Sequence, residues 1–471
     1  MKARPPCSSS LCMRAEETLH IQTVSDHDHK PPRLRANKRM RSVHWWLAWL
    51  IALLLAGLVV GVSVATTDPD WDGTEPENIS NSPLNLAWQP AIASGPSERI
   101  VVAWSDQWSD EGRRDVYTVF SADNGHTWST PEVVSGTADK SLLPDALVVG
   151  DQVFVAWVDG DPPIAIYEAE IGTEGARRIP SPLPLSNTQP RLAAGTDRLH
   201  VVFNAGQNIP NILYATRPLT AMVWPTATII YTHTATYGSW YPVLVIGPEG
   251  GTLHVVWEER ASATERAIMY MRGKVNGAGV DWEPALSLSA GITLSVWPAI
   301  AADSGGNVHV VWGEQVGEGT LDQREQYVRY ARYDVASGSW ISPAVRIDPE
   351  PVKVNRLNPT DIAPRLALVE RDNQVTVCVA WHGFRGGEFA EEVLLSCSRD
   401  GGQSWSLPQN VSRSPGAEAI SIAPSITFDA SGQLHGVWQE HTGGSPIYNY
   451  QIYYARTLNQ VFLPLVARNW K

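Results

Sequence analysis

The sequence predicts an all-β protein made of seven copies of one four-stranded antiparallel unit, arranged radially as a seven-bladed β-propeller. Three observations lead to this prediction. A hairpin pattern recurs along the chain, two further short apolar runs follow each copy, and no helical pattern interrupts the series. Trp, Gly and Pro are abundant (20, 37 and 34 of 471 residues) and charged residues make up only 18%, a turn-rich composition typical of β-folds.

The recurring hairpin is clearest in Ser295–Gln315, which reads SVWPAIAADSGGNVHVVWGEQ. A proline opens a short alternating run, a Gly-rich turn follows, and a second alternating run ends on Trp312, with Glu314 two residues later. Alternation with period two around a Gly/Asn turn indicates a β-hairpin. Equivalent copies begin at Pro90, Pro144, Pro190, Pro242, Pro298, Pro364 and Pro424.

Each hairpin is followed by a third apolar run with an aromatic residue near its end, such as Tyr270 or Tyr330. A turn and often a Trp then lead into a fourth run, as at Trp282 and Trp340. One hairpin cannot bury both of its faces alone, so the units must pack against one another. Four antiparallel strands repeated about every 56 residues predict propeller blades.

The seventh copy has no fourth run of its own, and the segment before the first copy supplies one. WDGTEPENISNSP at Trp71 parallels WSLPQNVSRSP at Trp405. We therefore expect residues 66–80 to form a linker and the closing outer strand of the last blade, which leaves no open sheet edge. Residues 81–462 form the remaining propeller, and residues 463–471 a C-terminal tail.

The N-terminal region indicates export of the propeller. Residues 45–65 form an uncharged apolar run long enough to span a bilayer, with a basic cluster before it and acidic residues after it. The positive-inside rule then predicts a signal anchor, with residues 1–44 as a disordered cytoplasmic arm and the propeller outside the cell. Alternatively, translation from Met40 and cleavage after Ala65 would make the segment a signal peptide and the protein secreted.

Charge and cysteine content narrow the partners and the compartment. The net charge is -13, and its acidic residues lie mostly in the propeller, which disfavours nucleic acid as a partner. Cys378 and Cys397 lie in neighbouring predicted strands of one repeat, where they could form a cross-strand disulfide in an oxidising compartment. Two small buried side chains are the competing interpretation. No cofactor or metal-binding motif is present, so neither is predicted.

Two turns between third and fourth runs fit the pattern S-x-D-x-G-x-[ST]-W. Asp can cap turn N–H groups there, Gly can adopt positive φ, and Trp can pack between strands. This is the Asp-box (BNR repeat) motif, and the chain resembles the sialidase-like Asp-box β-propellers over the whole predicted ectodomain. The resemblance implies a structural role for Ser121, Asp123, Gly125, Trp128, Ser398, Asp400, Gly402 and Trp405.

The resemblance is poorer at the position of the sialidase site. Sialidases have six blades, so a six-bladed arrangement is the alternative fold. They carry an Arg two residues before the proline of an innermost strand, and this sequence has none at its seven equivalent positions. Arg191 and Arg365 follow their prolines instead, which would make them face differently. The resemblance therefore implies a glycan-related propeller without implying sialidase activity.

The predicted binding face is the mouth where the first strand of each unit begins and the second ends. Aromatic rings stack on sugars and carboxylates bind hydroxyl groups, which makes ligand-binding candidates of Trp88, Trp240, Tyr241, Trp297, Asp106 and Asp159. A carboxylate pair can hydrolyse a glycosidic bond, which makes catalytic candidates of Glu259, Glu314 and Glu440. In the competing interpretation the repeat favours a solvated acid there, and the Trp residues only seal the channel.

The leading functional hypothesis is an exported propeller that binds a glycan or a surface protein and contacts the membrane through residues 45–65. The first alternative is a glycoside hydrolase that uses the mouth carboxylates. The second is a non-catalytic scaffold of an extracellular complex. A recurring His in the second strand belongs to different blades and is predicted to pack between blades rather than to bind metal: His200, His254, His309 and His435.

Overall fold

The computed structural model describes residues 74–458, apart from residues 109–112, 137–139, 161–163, 174, 234–236, 263, 278, 293, 342–343, 355–361, 385–390, 415–419 and 444–448. The predicted arm 1–44, the predicted span 45–65 and the tail 463–471 lie outside the described residues. Within the described part of the chain, no helix is long and apolar enough to cross a membrane.

The described residues form seven antiparallel sheets, one for each predicted repeat, and the six-bladed alternative is therefore wrong. We number these blades I to VII along the chain. The first strand is β1 (Glu77–Asn78). Blade I contains β2 (Trp88–Ser94), β3 (Ile100–Asp106), β4 (Asp115–Ser121) and β5 (Glu132–Val133). Blade II contains β6 (Ser141–Val149), β7 (Gln152–Asp159), β8 (Ala165–Glu170) and β9 (Arg177–Ile179). Blade III contains β10 (Arg191–Ala194), β11 (Arg198–Ala205), β12 (Asn211–Pro218) and β13 (Thr228–Tyr231).

In blades IV and V the outer edge is divided into two short strands. Blade IV contains β14 (Ser239–Ile246), β15 (Thr252–Arg260), β16 (Arg266–Asn276), β17 (Gly279–Trp282) and β18 (Leu286–Ser287). Blade V contains β19 (Ser295–Ala302), β20 (Val308–Val316), β21 (Glu325–Asp334), β22 (Ser339–Trp340) and β23 (Val345–Arg346), with a 3₁₀ turn at Leu321–Gln323. Blade VI contains β24 (Arg365–Arg371), β25 (Gln374–Gly383), β26 (Glu392–Ser398) and β27 (Gln409–Asn410).

Blade VII contains β28 (Ser421–Phe428), β29 (Leu434–His441) and β30 (Tyr450–Arg456). Its outer strand is β1, from the segment in which the sequence places the closing strand, with Glu77 opposite Tyr454. The innermost strands pack on their neighbours around the ring, including β2 of blade I on β28 of blade VII. The backbone groups along the outer edge of the last blade are thereby paired by the first described residues of the chain.

The apolar core lies between the blades. Every cluster of buried residues but one small group combines side chains of two neighbouring blades, as where Trp104 of blade I packs with Val437 and Ile452 of blade VII. The large aromatic residue near the end of each second strand is at most 1% exposed. These residues are Trp104, Trp157, Phe203, Trp257, Trp312, Trp381 and Trp438.

The recurring His residues belong to the same inter-blade packing. In four blades the His is hydrogen-bonded to a Tyr hydroxyl of the third strand at 2.6–2.8 Å. Each of these Tyr rings meets, edge to face, a Trp of the following blade. The pairs of Tyr and Trp are Tyr214–Trp282, Tyr270–Trp340, Tyr330–Trp405 and Tyr454–Trp128. The His residues therefore connect blades, as the sequence predicts.

The two S-x-D-x-G-x-[ST]-W turns have the same hydrogen bonds. In the first, Asp123 accepts hydrogen bonds from the backbone N–H and the hydroxyl of Thr127 at 2.9 and 2.7 Å. These bonds lower the pKa of Asp123 to about 2. Gly125 has a φ of 74°, and a Cβ there would overlap the Tyr454 hydroxyl. In the second turn Asp400 bonds Ser404 in the same way.

One covalent link lies inside blade VI. Cys378 of β25 stands directly opposite Cys397 of β26, and a disulfide joins them. Both side chains are buried in the cluster between blades VI and VII. The structure therefore contains the cross-strand pair, rather than two separate thiols.

Candidate functional site

The mouth of the ring is shaped by a bulge in the innermost strands. In five blades the pairing register shifts at the repeat proline. The residue before that proline has a φ between 51° and 58° although it is not glycine. These residues are Gln89, Leu143, Tyr241, Trp297 and Ala423. Left-handed backbone is costly for residues with a Cβ and concentrates at functional sites. The bulges therefore indicate that the candidate site lies at this end of the propeller.

Side chains of the preceding blade hold several of these bulges. Gln439 of blade VII accepts the backbone N–H of Gln89 at 2.8 Å, and Gln89 in turn accepts the backbone N–H of Leu143 at 3.1 Å. Glu258 of blade IV accepts the N–H of Trp297 at 3.3 Å. In these bulges a side chain of the neighbouring blade therefore fixes the backbone, and the backbone sets the direction of the bulge side chain.

A cavity of about 320 Å³ lies at the centre of these bulges. Six of the seven blades line it, and among the described residues none comes from blade IV. Among the described residues of the lining there is no Asp and no Glu. Its residues are Trp88, Gln89, Pro90, Leu143, Pro144, Gln189, Arg191, Trp297, Ala363, Arg365, His382, Ile422, Ala423, Ser425, Gln439 and Tyr450.

Two guanidinium groups give the cavity its charge. Arg191 of blade III pairs with Asp145 of blade II at 2.9 Å, and the same carboxylate accepts the N–H of Leu192 at 2.7 Å. Arg365 enters from blade VI. Burial, together with the nearby positive charge of Arg191, lowers the pKa of Arg365 to about 9. An anion beside Arg365 would counter both causes of the lowered pKa. Its oxygens would accept hydrogen bonds in place of water, and its negative charge would offset the positive charge of Arg191.

His382 supplies a neutral polar group beside these cations. Its side chain is 2% exposed, and burial together with the charge of Arg365 lowers its pKa to about 3. The imidazole is therefore uncharged at neutral pH and binds ligands only through hydrogen bonds. The Tyr450 ring, 1% exposed, borders the same cavity. Within the described ranges, no group of three or more His, Cys, Asp or Glu side chains could hold a metal ion.

The acidic residues predicted at the mouth are buried, which corrects their interpretation as solvated groups. We call Asp106, Asp159, Glu259, Glu314 and Glu440 the carboxylate belt, and its members are at most 8% exposed. In four of them the carboxylate accepts the indole N–H of the Trp two residues earlier, at 2.8–3.1 Å. Burial raises the pKa of Asp106 and of Glu440.

Glu314 has different partners from the rest of the belt. It pairs with Arg329 and Arg346 of its own blade at 2.9 and 2.8 Å. Burial acts to raise its pKa, but the hydrogen bonds from both arginines hold it below the ordinary value. The three predicted catalytic carboxylates thus lie on three blades, and none lines the cavity. Glu314 and Glu440 are bonded within their own blades, whereas Glu259 binds Ser239 of its own blade and also Tyr231 and His233 of blade III.

The predicted aromatic residues divide into two groups. Trp88 and Trp297 line the cavity. Trp240 and Tyr241 of blade IV do not, but the Tyr241 ring stacks on Trp297 with centroids 3.9 Å apart. Arg260 lies over both rings of blade IV. The structure therefore brings all four aromatic candidates to the mouth or beside it, whereas Asp106 and Asp159 lie between blades.

Sequence reasoning missed the polar residues of the cavity as site residues. Gln439 and His382 come directly after the buried Trp of the second strand, one position before the belt. Arg191 and Arg365 come directly after a repeat proline. Since alternate residues of a strand face opposite sides, a search one residue earlier than the belt would have found the first two.

The fold and the site define a seven-bladed β-propeller with a cationic central cavity. No family model matches the chain, and no curated protein matches its sequence. Solved structures match it in fold: an ulvan lyase of polysaccharide lyase family PL25, titled as bound to -[GlcA(1-4)Rha3S]-, is 12% identical with a TM-score of 0.54 over 84% of this chain and 96% of that one.

A second structure of a PL25 ulvan lyase is 11% identical with a TM-score of 0.51, over 83% of this chain and 97% of that one. The intramolecular trans-sialidase from Ruminococcus gnavus is 12% identical with a TM-score of 0.44, over 81% and 95% of the two chains. The similarity to the ulvan lyases concerns the fold.

Proposed function

We propose that this chain is an exported β-propeller that binds acidic glycans in its central cavity through Arg191 and Arg365. The observation that carries the proposal is the pair of guanidinium groups in a cavity in whose described lining there is no acidic side chain. Arg presents a planar fork of N–H donors that matches carboxylate and sulfate oxygens. Asp145 offsets the charge of Arg191, so the charge of Arg365 is the one that an anionic ligand would offset.

The rest of the lining suits a sugar. Gln89, Gln439, neutral His382 and Tyr450 add polar groups to the lining, and Trp88 and Trp297 add aromatic surface. Aromatic faces and a few convergent polar groups are typical of small-molecule sites. The ulvan lyase of similar fold was solved bound to -[GlcA(1-4)Rha3S]-. The proposal extends glycan binding to this chain.

Export is part of the same proposal. Disulfides persist mainly in oxidising compartments, and the Cys378–Cys397 bond supports an extracellular propeller. The propeller would be held at the cell membrane by residues 45–65, or secreted after cleavage behind Ala65. We also propose that the turns at Asp123 and Asp400 serve as Asp boxes, each capping a turn that packs on the preceding blade.

Hydrolysis by Glu259, Glu314 and Glu440 stays a prediction. A glycosidase needs two carboxylates about 5–10 Å apart on either side of the bond that is broken. These carboxylates are bonded to neighbouring side chains and lie outside the described lining of the cavity, which favours binding over hydrolysis. A panel of aryl glycosides with the full chain tests this alternative directly.

The proposal is tested by a glycan array with the purified full-length chain, which should retain uronate, sialate or sulfated glycans over neutral ones. Arg365→Gln should lower affinity for the retained glycans at least about tenfold, because a charge-assisted pair is lost. Arg178→Gln, which changes an exposed Arg of β9, is the matched control and should bind normally.

Arg365→Lys keeps the charge and serves as a second variant in case the Gln variant is unstable, which thermal melting would reveal. It should retain more affinity than the Gln variant, since only the planar fork is lost. Preferential retention of neutral glycans, or full binding by a folded Arg365→Gln variant, would contradict the proposal.

A further inference from the structure

We propose that the binding site continues from the cavity onto an aromatic platform of blade IV, so that its ligand is an acidic oligosaccharide rather than a single sugar. The platform consists of Trp240, Tyr241 and Arg260. The anionic unit of the ligand lies in the cavity, and the next unit lies against the platform. This inference rests on the proposed function.

The platform is continuous with the cavity lining. Trp297 lines the cavity, and Tyr241 stacks on it with an angle of 16° between the ring planes. Trp240 adjoins Tyr241, with ring centroids 6.2 Å apart. Tyr241 and Trp297 cover one face of each other, and the three rings are in contact one after another from the cavity onto blade IV.

The platform is also held in place before any ligand arrives. The Arg260 guanidinium lies 4.8 Å from the Trp240 ring centroid and 5.4 Å from that of Tyr241. Buried Glu258 binds Arg260 at 2.5 Å, and the Trp240 indole N–H donates to the carbonyl of Tyr237 at 2.7 Å. Rings fixed in advance lose little conformational freedom on binding, which favours affinity.

The backbone provides an independent observation. Tyr241 and Trp297 each have a φ of 51°, a conformation in which bulky side chains are rare and strained. The equivalent positions of other blades hold Gln89, Leu143 and Ala423. Placing two large aromatic residues at strained positions costs stability, and such strain concentrates where a ligand is gripped.

The size and the lining of the cavity indicate the direction of a longer ligand. A volume of about 320 Å³ is at the small end of ligand pockets, which span roughly 300–1,000 Å³, and suits about one sugar unit. Blade IV is the blade from which no described residue lines the cavity. A second unit leaving the cavity beside Trp297 would meet Tyr241 and Trp240.

The test compares mono-, di- and tetragalacturonate by isothermal titration calorimetry with the full-length chain. These three probes have the same charged unit and differ in length. Digalacturonate should bind at least about tenfold more tightly than the monomer, since one additional stacked ring contributes on the order of 1 kcal/mol or more. Equal affinity for all three would overturn the platform while the proposed function stands.

Trp240→Ala should bring the affinity for digalacturonate close to that for the monomer and leave monomer binding within about twofold of wild type. Trp240→Phe keeps a ring and should restore most of the difference. Trp108→Ala changes a Trp of blade I that stacks on Tyr117 and should leave the ratio unchanged.

Two further outcomes separate the inference from the function on which it rests. If Trp240→Ala weakens monomer and dimer equally, Trp240 acts on the cavity and the platform is overturned. If none of the three probes binds, the function fails for uronates and the platform fails with it. Equal wild-type affinities for monomer and dimer overturn the inference even if Trp240→Ala does not fold.

Discussion

The two faces of the second strand in each blade serve different purposes, although their residues alternate along one chain segment. One face carries the buried Trp and the carboxylate belt and packs on the preceding blade, as Trp104 packs on Val437. The other face looks toward the following blade, where Gln439 binds the backbone of Gln89. Belt residues therefore stabilise the fold, while their immediate neighbours reach the mouth.

The difference shows that an acidic residue near the mouth of the ring is not for that reason part of a binding site. Both Asp106 and Gln439 lie near the end of a second strand and are buried. Asp106 has its acceptor capacity taken by the indoles of Trp104 and Trp108. Gln439 both holds a bulge and lines the cavity. Because successive side chains of a strand point to opposite faces, a shift of one residue exchanges these roles.

The largest loss of stability is expected when a side chain of the carboxylate belt is removed. Asp106→Ala should lower the free energy of unfolding by about 3–5 kcal/mol, because it leaves buried donors of Ser82 and Trp104 without their acceptor. Chemical denaturation measures the change. Asp151→Ala, on an exposed turn, is the control and should stay within about 0.5 kcal/mol. Wild-type stability of the Asp106 variant would refute the structural role of the belt.

The opposite face of the second strand carries the recurring His residues, and these should make the stability depend on pH. Burial lowers the pKa of His200 and of His254 to about 4, below the ordinary value near 6.5. As pH falls from about 6.5 to 4, the unfolded chain binds protons that the folded chain does not, so stability falls. Each His accounts for at most about 3 kcal/mol of this loss.

The double variant H200Q/H254Q should therefore flatten the decline in unfolding free energy between pH 6.5 and 4. A series of denaturant titrations across that pH range measures the unfolding free energy. His126→Gln, at an exposed turn position, is the control and should leave the slope as in wild type. An equally steep decline in the double variant would show that these His residues titrate normally.

A smaller effect is expected where this His-bearing face meets the next blade. Gly125→Ala should lower stability by about 2–3 kcal/mol, because the new Cβ would overlap the Tyr454 hydroxyl as well as occupy positive φ. Gly172→Ala isolates the backbone contribution, since nothing lies within 4 Å of its Cβ, and should cost only about 1 kcal/mol. Equal losses in thermal melts would mean that the contact with Tyr454 contributes nothing.

Much of the architecture follows from local patterns. Period-two runs and Gly-rich turns define seven hairpins, and the parallel between Trp71 and Trp405 points to the N-terminal segment that completes blade VII. The pairing of Cys378 with Cys397 follows from their places in neighbouring strands. The candidate site was predicted less well: Trp88 and Trp297 line the cavity, while the predicted carboxylates lie between blades.

The charge of the cavity required the closed ring. Arg191 and Arg365 belong to blades III and VI and are far apart in sequence, so no local pattern brings them together. The bulge before the repeat proline of five blades also changes the direction of the innermost strand, and a strict alternation does not predict it. Hence the residues that reach the cavity depend on how seven strands converge.

The sequence by itself determined the repeat and the large apolar residues buried between blades, because hydrophobic periodicity and turn chemistry act over a few residues. Only the tertiary structure decided which side chains surround the centre. Ring closure placed two arginines against one cavity and left Glu259, Glu314 and Glu440 bonded to neighbouring side chains outside its described lining. Long-range packing sets the burial and electrostatics of such groups, and those quantities separate a structural carboxylate from a binding site.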